Sequence, residues 1–465
     1  MVYLANSHLL YRAAQRWPRR RRPGDVDGEA KGQIVIVVDD SDSEPNPYEY
    51  RVFFEWLWDY YCKIDDVKVE RYLNLSGIPF SGEVPPQLGN LSKLHYLDLS
   101  LSDNLYSTYL SWLARLPLLR FLSMESVNLS TIGDWPHVVN TIPSLRVLDL
   151  SNCSLTSANQ SLSRLNFTNL EEIDLFFNYF DHPIATCWFW NLTSLKRLDL
   201  LDTGMHGEFP DALTRLASLK IFVLGGIRKS SNKISLNTAA TNLTNLCNLK
   251  ILVLISYNDL DGLITELFDG LKSLKNIGLS DNRLKIVVGS DWIPPFRLKV
   301  ANLASCHIGP LFPSWFKWQM GISHINISRG NIIDRLPDWF SNSLSNVEVL
   351  DISGNQIIGA LPTNMETMSL SKLLLSSNNI TGQIPLLPRE LYYLDISRNF
   401  LSGPLPLNLG APRIEYLILR SNNFTGQIPV SFCEFDELYI LDLSNNNFEG
   451  ELPRCFKMEH LSFLL

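Results

Sequence analysis

Seven aspartates, Asp98, Asp149, Asp174, Asp199, Asp351, Asp395 and Asp442, recur at one position of a repeated Leu-Asp-Leu-like triplet. Paired carboxylates are the tools of general acid–base and glycosidic chemistry. These recur because the triplet recurs, so their reading is structural. The chain carries no GxxxxGK[ST], HExxH or GxSxG pattern and no kinase HRD or DFG triplet, so no enzyme, cofactor or metal site is expected. Its 7 cysteines are odd in number and none forms a CxxC pair. Chemistry of modification remains. N-x-S/T acceptors occur at Asn74, Asn90, Asn128, Asn159, Asn166, Asn191, Asn242, Asn326, Asn379 and Asn423, with a weaker one at Asn152 whose middle residue is Cys.

The elements that position these residues follow from a unit LxxLxLxxN, repeated about every 24 residues from about residue 70 onwards. The middle residues of the triplets are Asn74, Asp98, Ser123, Asp149, Asp174, Asp199, Val223, Val253, Gly278, Asn302, Asn326, Asp351, Leu374, Asp395, Ile418 and Asp442, about sixteen coils. Each triplet predicts a short strand with its leucines facing inward. One unit cannot bury that apolar side alone, so neighbouring coils must stack on one core. The Asn three residues after the triplet (Asn178, Asn282, Asn355, Asn378, Asn399, Asn422 and Asn446) is expected to turn inward and bond the backbone of the bend. Cys153 and Cys306 occupy the same position and read as buried free thiols. Cys187 and Cys247 read as inert thiols. Cys433 and Cys455, in adjacent coils, are close enough for a disulfide in an oxidising compartment.

A second signature follows many triplets: SGEVP at 81–85, HGEFP at 206–210, IGALP at 358–362, TGQIP at 381–385, SGPLP at 402–406, TGQIP at 425–429 and EGELP at 449–453. Gly admits a turn that a side chain obstructs and Pro sets φ where no ladder donor is needed, which predicts a short second strand and then a short helix. The fold class is therefore an α/β solenoid, a leucine-rich-repeat superhelix with a parallel concave sheet. Between Val223 and Val253 one coil is longer, and 228–240 is expected to be an outward loop.

The 465 residues are 45% hydrophobic and 19% charged with a net charge of -8, and outside the first residues the Lys and Arg do not cluster, which excludes a nucleic-acid footprint. No apolar run reaches the length of a transmembrane helix. The opening residues give no signal peptide, because Arg12, Arg16 and the run Arg19 to Arg22 interrupt them. That run also admits a nuclear-localisation reading. Residues 1–48, with an acidic stretch from Asp39 to Glu44, read as disordered or non-family sequence.

The extended consensus resembles that of plant leucine-rich-repeat receptors, both receptor kinases and kinase-less receptor-like proteins. Leu303-Ala304-Ser305-Cys306-His307-Ile308-Gly309-Pro310 with Phe312-Pro313-Ser314-Trp315, and Ser431-Phe432-Cys433 with Glu451-Leu452-Pro453-Arg454-Cys455-Phe456, resemble the kinase-less group containing the ethylene-inducing-xylanase receptor. On that resemblance Trp56, Trp58 and Cys62 in 49–68 are a degraded N-terminal cap, and 69–465 is the repeat array, expected to be truncated and to lack a C-terminal cap. The resemblance implies a non-catalytic, membrane or extracellular glycoprotein ectodomain in defence or developmental signalling. It implies a peptide or protein ligand and a partner receptor kinase. A soluble polygalacturonase-inhibitor-like protein and a non-functional receptor fragment are the alternatives.

The expected binding surface is the concave sheet, where strands about 4.8 Å apart give a strip roughly 70 Å long. Its expected anchors are Tyr96, Phe121, Phe176, Phe177, Tyr392, Tyr393, Tyr416 and Tyr439. Arg146, Lys196, Arg197, Arg329, Arg398 and Arg420 are expected to select acidic groups, with Arg329, Arg398 and Arg420 the preferred ligand contacts.

Overall fold

A computed structural model describes residues 71–454 and 462–464 apart from 79, 103, 158–161, 163, 209–210, 227–232, 236–242, 244, 256–260 and 264–267. The chain divides into two compact units, Met1–Asp259 and Leu260–Leu465. The expected cap at 49–68, the segment 1–48, Asn159, Asn242 and Cys455 lie outside the described residues.

In the first unit the main sheet runs parallel through Tyr72–Asn74, Tyr96–Asp98, Phe121–Ser123, Val147–Asp149, Glu172–Asp174, Arg197–Leu201, Ile221–Gly225 and Ile251–Ile255, each paired with the next. In the second it runs through Asn276–Gly278, Val300–Asn302, His324–Asn326, Val349–Asp351, Lys372–Leu374, Tyr393–Asp395, Tyr416–Ile418, Ile440–Asp442 and Phe463–Leu464. Every triplet read from the sequence is one of these strands, and Phe463–Leu464 adds one that the motif did not mark. The register never slips: Leu97 faces Leu122, Leu148 and then Ile173, and all are fully buried. A slip of one residue would turn these leucines to the other face and expose the core, so hydrophobic burial fixes the register.

The glycine-proline segments contribute to the expected second strands, except EGELP at 449–453, which begins just after its strand ends at Phe448. Ile358–Ala360, Asn379–Gly382, Phe400–Gly403, Asn423–Gly426 and Asn447–Phe448 pair in sequence order in the second unit. The expected helix is a short 3-10 helix after four of the segments, Pro86–Asn90, Asp211–Arg215, Met365–Thr367 and Val430–Glu434, whereas none follows the segments at 381–385 and 402–406. The long coil departs from expectation. Within 228–240, Lys233–Ser235 is a strand paired with His206–Glu208, because the second-strand ladder continues into the insertion.

Opposite the main sheet, aromatic side chains fill the space left between coils. Trp188 meets Trp135 edge-on at 6.1 Å and Phe167 at 5.1 Å, while Trp190, itself buried, donates its indole N–H to the Ile184 carbonyl at 2.7 Å. In the second unit Phe268, Trp292, Phe296 and Trp315 make a comparable cluster. Gly309 has a packing reason: a β-carbon there would overlap the Asn331 carbonyl oxygen.

The coils are locked by side-chain amides. Asn399 donates from Nδ2 to the carbonyls of Leu375 in the preceding coil and Ile396 in its own, at 3.0 and 3.1 Å, and its Oδ1 accepts the Ile380 N–H at 3.0 Å. Asn178, Asn355, Asn378, Asn422 and Asn446 repeat the pattern. Each satisfies buried backbone groups that the bend cannot pair itself. Cys153 and Cys306 reproduce one arm of it, their thiols donating to the Met124 and Leu279 carbonyls, each at 3.0 Å. Burial pushes the Cys306 thiol up to about 12 and keeps both sulfurs protonated, as that bond requires.

Asn399→Ala leaves the Leu375, Ile396 and Ser397 carbonyls and the Ile380 N–H without that partner and is expected to cost about 2–4 kcal/mol. Asn399→Cys should retain part of the loss, because a thiol already serves at 153 and 306. Thermal unfolding of the two variants checks the order; equal losses would show that the inter-coil bond contributes nothing.

Candidate binding face

Alternation in each strand sends the central leucine inward and its two neighbours to the open face of the sheet. In-register pairing then stacks equivalent residues in columns. In the first unit the leading column begins Tyr72, Tyr96, Phe121, with ring centroids 4.2 and 4.1 Å apart and nearly parallel planes. In the second unit it runs Lys372, Tyr393, Tyr416. The Lys372 ammonium lies 4.6 Å from the centre of the Tyr393 ring, and Tyr393 stacks on Tyr416 at 5.0 Å. Tyr439, one residue before its strand, meets Tyr416 edge-on at 5.8 Å and Phe463 at 6.3 Å. Tyr96, Phe121, Tyr393, Tyr416 and Tyr439 are thus brought together, in two separate ladders. Sequence reasoning missed Tyr72, Lys372 and Phe463, although register alone would have placed the first two in these columns.

Other expected anchors sit differently. Phe176 packs on a cluster formed by Leu201, Ile221, Val223, Ile251, Val253 and Ile255, all buried. All of these but Leu201 belong to five-residue strands apolar on both faces, and the unbroken runs Ile221-Phe222-Val223-Leu224 and Ile251-Leu252-Val253-Leu254-Ile255 carried that signal. Phe177, Arg329 and Arg398 occupy the bend after the strand with left-handed φ of 58°, 54° and 54°. Tyr392 flanks its strand beside Glu415, whose charge adds to burial in raising its phenol. Arg420 is exposed two residues beyond the Tyr416–Ile418 strand.

Three basic residues expected to select acidic ligands are already engaged within the protein. Arg146 and Lys196 contact Glu171 at 3.3 and 2.7 Å. Arg197 bridges Asp174 and Asp199 at 2.9 and 3.1 Å. The strand register causes this, since it sets Asp149, Asp174 and Asp199 side by side with a single guanidinium between the last two.

Most other aspartates close a local turn. Oδ1 of Asp98, Asp149, Asp351, Asp395 and Asp442 each accepts the N–H and hydroxyl of the Ser two residues on, the hydroxyl at 2.6–2.7 Å. This is the structural role expected of them. Asp199 has a Leu in that place, so its Oδ1 accepts the Leu201 N–H without a hydroxyl beside it.

Asn74 and Asn326 lie on main-sheet strands, their Oδ1 accepting from Ser76 and Ser328. Asn90, Asn128, Asn166, Asn191 and Asn423 are exposed, and Asn379 is half-buried. Cys433 is disulfide-bonded, whereas Cys153, Cys187 and Cys306 are buried free thiols and Cys247 an exposed one.

A family model described as Leucine Rich Repeat matches residues 144–165, 346–368, 413–435 and 437–458. Receptor-like protein EIX1 of Solanum lycopersicum is 27% identical over 70% of this chain and 45% of its own length. Receptor-like protein 39 of Arabidopsis thaliana is 30% identical over 68% of this chain and 40% of its own. The chain is a leucine-rich-repeat protein similar to plant receptor-like proteins. This repeat protein spans less than half the length of those relatives. Among solved structures it is similar to the Arabidopsis receptor kinase HAESA, in complex with the peptide hormone IDA and the co-receptor SERK1, with a TM-score of 0.66 at 22% identity over 86% of this chain and 74% of that one. That likeness is one of fold. Among the described residues no helix of the repeat protein is long and apolar enough to cross a membrane.

The acidic row gives the repeat protein a pH dependence. Burial, then the charge of Asp174, pushes the carboxyls of Asp199 and Asp149 up, to about 8 and about 7, with Arg197 partly offsetting the effect at Asp199. Between pH 4 and 8 the folded form then holds more protons than the unfolded one, so stability should fall as pH rises through that window. Asp199→Asn should flatten the fall, read as the thermal midpoint against pH; an identical slope in the variant would exclude Asp199 as its source.

Proposed function

We propose that this repeat array is a ligand-binding ectodomain that recognises an extracellular peptide or protein on the open face of its main sheets. The observation that carries the reading is the in-register aromatic column. Rigid rings present much apolar area at little conformational cost, and such residues dominate binding energy at interfaces. Tyr96 and Phe121 would anchor a ligand on the first unit. Tyr392, Tyr393, Tyr416 and Tyr439, with Arg398 and Arg420 at the other end of the strands, would anchor one on the second. Phe176, Phe177 and Arg329 would contribute from the margins.

Signalling would pass through a partner receptor kinase, in defence or development, and the protein would act outside the cell. The names of its relatives and the peptide and co-receptor in the HAESA complex support this assignment. An inhibitor-like role is less well supported, since those relatives carry receptor names.

Selection of a random peptide library displayed on phage against the full chain tests the reading. Enriched peptides should lose at least about tenfold in affinity for a Tyr393→Ala/Tyr416→Ala variant of unchanged circular dichroism, the scale of two interface anchors. Failure to enrich, or equal binding by the variant, would contradict it.

A route through the secretory pathway predicts glycans at the exposed Asn90, Asn128, Asn166, Asn191 and Asn423. Asn74 and Asn326, which lie on strands of the proposed binding face, should stay bare. Glycopeptide mass spectrometry of the protein secreted from plant cells reads both; full occupancy at Asn326 would put a glycan on the proposed binding face and contradict its use.

A further inference from the structure

The second aromatic ladder ends in an unexplained chemical environment. Glu415, Tyr416, Asp436, Glu437 and Tyr439 line an open depression of about 390 Å³. Three carboxylates and two phenol rings converge there. None of the three has a cationic partner among the described residues, while nearby Arg413 is taken by Glu390 at 2.6 Å. Tyr416 and Tyr439 meet edge-on at 5.8 Å, so the two rings present different aspects to the depression.

The same ladder already binds a cation of its own. Two strands away, the Lys372 ammonium lies over the Tyr393 ring, where the negative ring face attracts it. No lysine or arginine performs that service at Tyr416 and Tyr439 among the described residues, although three carboxylates line the depression there.

We propose that this depression is a subsite for a cationic side chain, a guanidinium or ammonium, carried by the ligand. It rests on the ectodomain reading above and adds the chemistry of one ligand residue. The rings supply a face for the cation and cover for its alkyl stem, while the half-buried Glu415 and the exposed Asp436 and Glu437 supply opposing charge. A guanidinium fits better, because its plane can lie on a ring while its edge donates to a carboxylate. At the other end of the Tyr416–Ile418 strand, Arg420 is exposed roughly 16 Å from Glu415 at strand rise. The ligand would therefore lie with its basic residue toward Glu415 and any acidic group toward Arg420.

Saturation-transfer NMR on the full chain tests this without the natural ligand. The probes are acetyl-arginine amide and its neutral isostere acetyl-citrulline amide. The arginine probe should show saturable transfer that weakens with added salt, and the citrulline probe should bind at least about tenfold more weakly. Glu415→Gln/Glu437→Gln should abolish the preference for arginine while leaving circular dichroism unchanged. Tyr439→Ala should weaken both probes. Equal binding of the two probes, or a preference that survives the double substitution, would overturn the cationic subsite. Those outcomes leave the ectodomain reading standing, since peptide selection and the Tyr393→Ala/Tyr416→Ala variant test it separately.

Discussion

The inter-coil hydrogen bond of a buried asparagine amide is the interaction on which the other features depend. Leucine burial makes stacking favourable, but a stack of apolar faces tolerates small rotations and translations. The Asn amide does not. It must reach one carbonyl in its own bend and another in the preceding coil while accepting an N–H, and Asn399 and Asn422 do so with distances of 3.0–3.1 Å. Buried backbone groups left unpaired are expensive, so the geometry that satisfies them is strongly preferred. Cysteine at 153 and 306 keeps only the donor arm and fills the remaining space with a polarizable sulfur.

Fixed register converts sequence position into surface columns. The same constraint has opposite chemical results along the array. Where the leading residues are aromatic, it stacks rings, as at Tyr72, Tyr96 and Phe121. Where the trailing residues are acidic, it crowds Asp149, Asp174 and Asp199 and raises the protonation of two of them. Arg197 relieves the crowding without ending it. Where both positions are apolar, at Ile221, Val223, Ile251 and Val253, the open face becomes buried as the inner face is. A face with these three chemistries is suited to discriminating among ligands by position along the sheet.

The repeat was legible because its signal is redundant. Sixteen triplets at one phase each mark a strand, and the Asn position foretold its own bonds. The glycine-proline segments foretold second strands, but the expected helix is a short 3-10 helix after some of them and absent after those at 381–385 and 402–406. What escaped the sequence is lateral. Lys233–Ser235 became a strand since its neighbour His206–Glu208 offered a ladder to extend. Arg146, Lys196 and Arg197 looked available and are not, because Glu171, Asp174 and Asp199 stand in adjacent coils. Phe177, Arg329 and Arg398 are expected from the sequence on the binding face but fall three residues beyond their strands, on the left-handed bend. Such contacts depend on residues about 24 positions apart, and a motif read one coil at a time does not pair them.

Hydrogen exchange on the full chain, comparing the native protein with Asn422→Ala, tests the central constraint most directly. Asn422 accepts the Leu401 N–H and donates to the Ile396 carbonyl. Faster exchange at Leu401 and in the two coils joined by that amide, with the strands of the first unit unchanged, is the predicted result. Unchanged exchange at Leu401, or uniform acceleration through both units, would show that something other than the asparagine amides holds the coils in register.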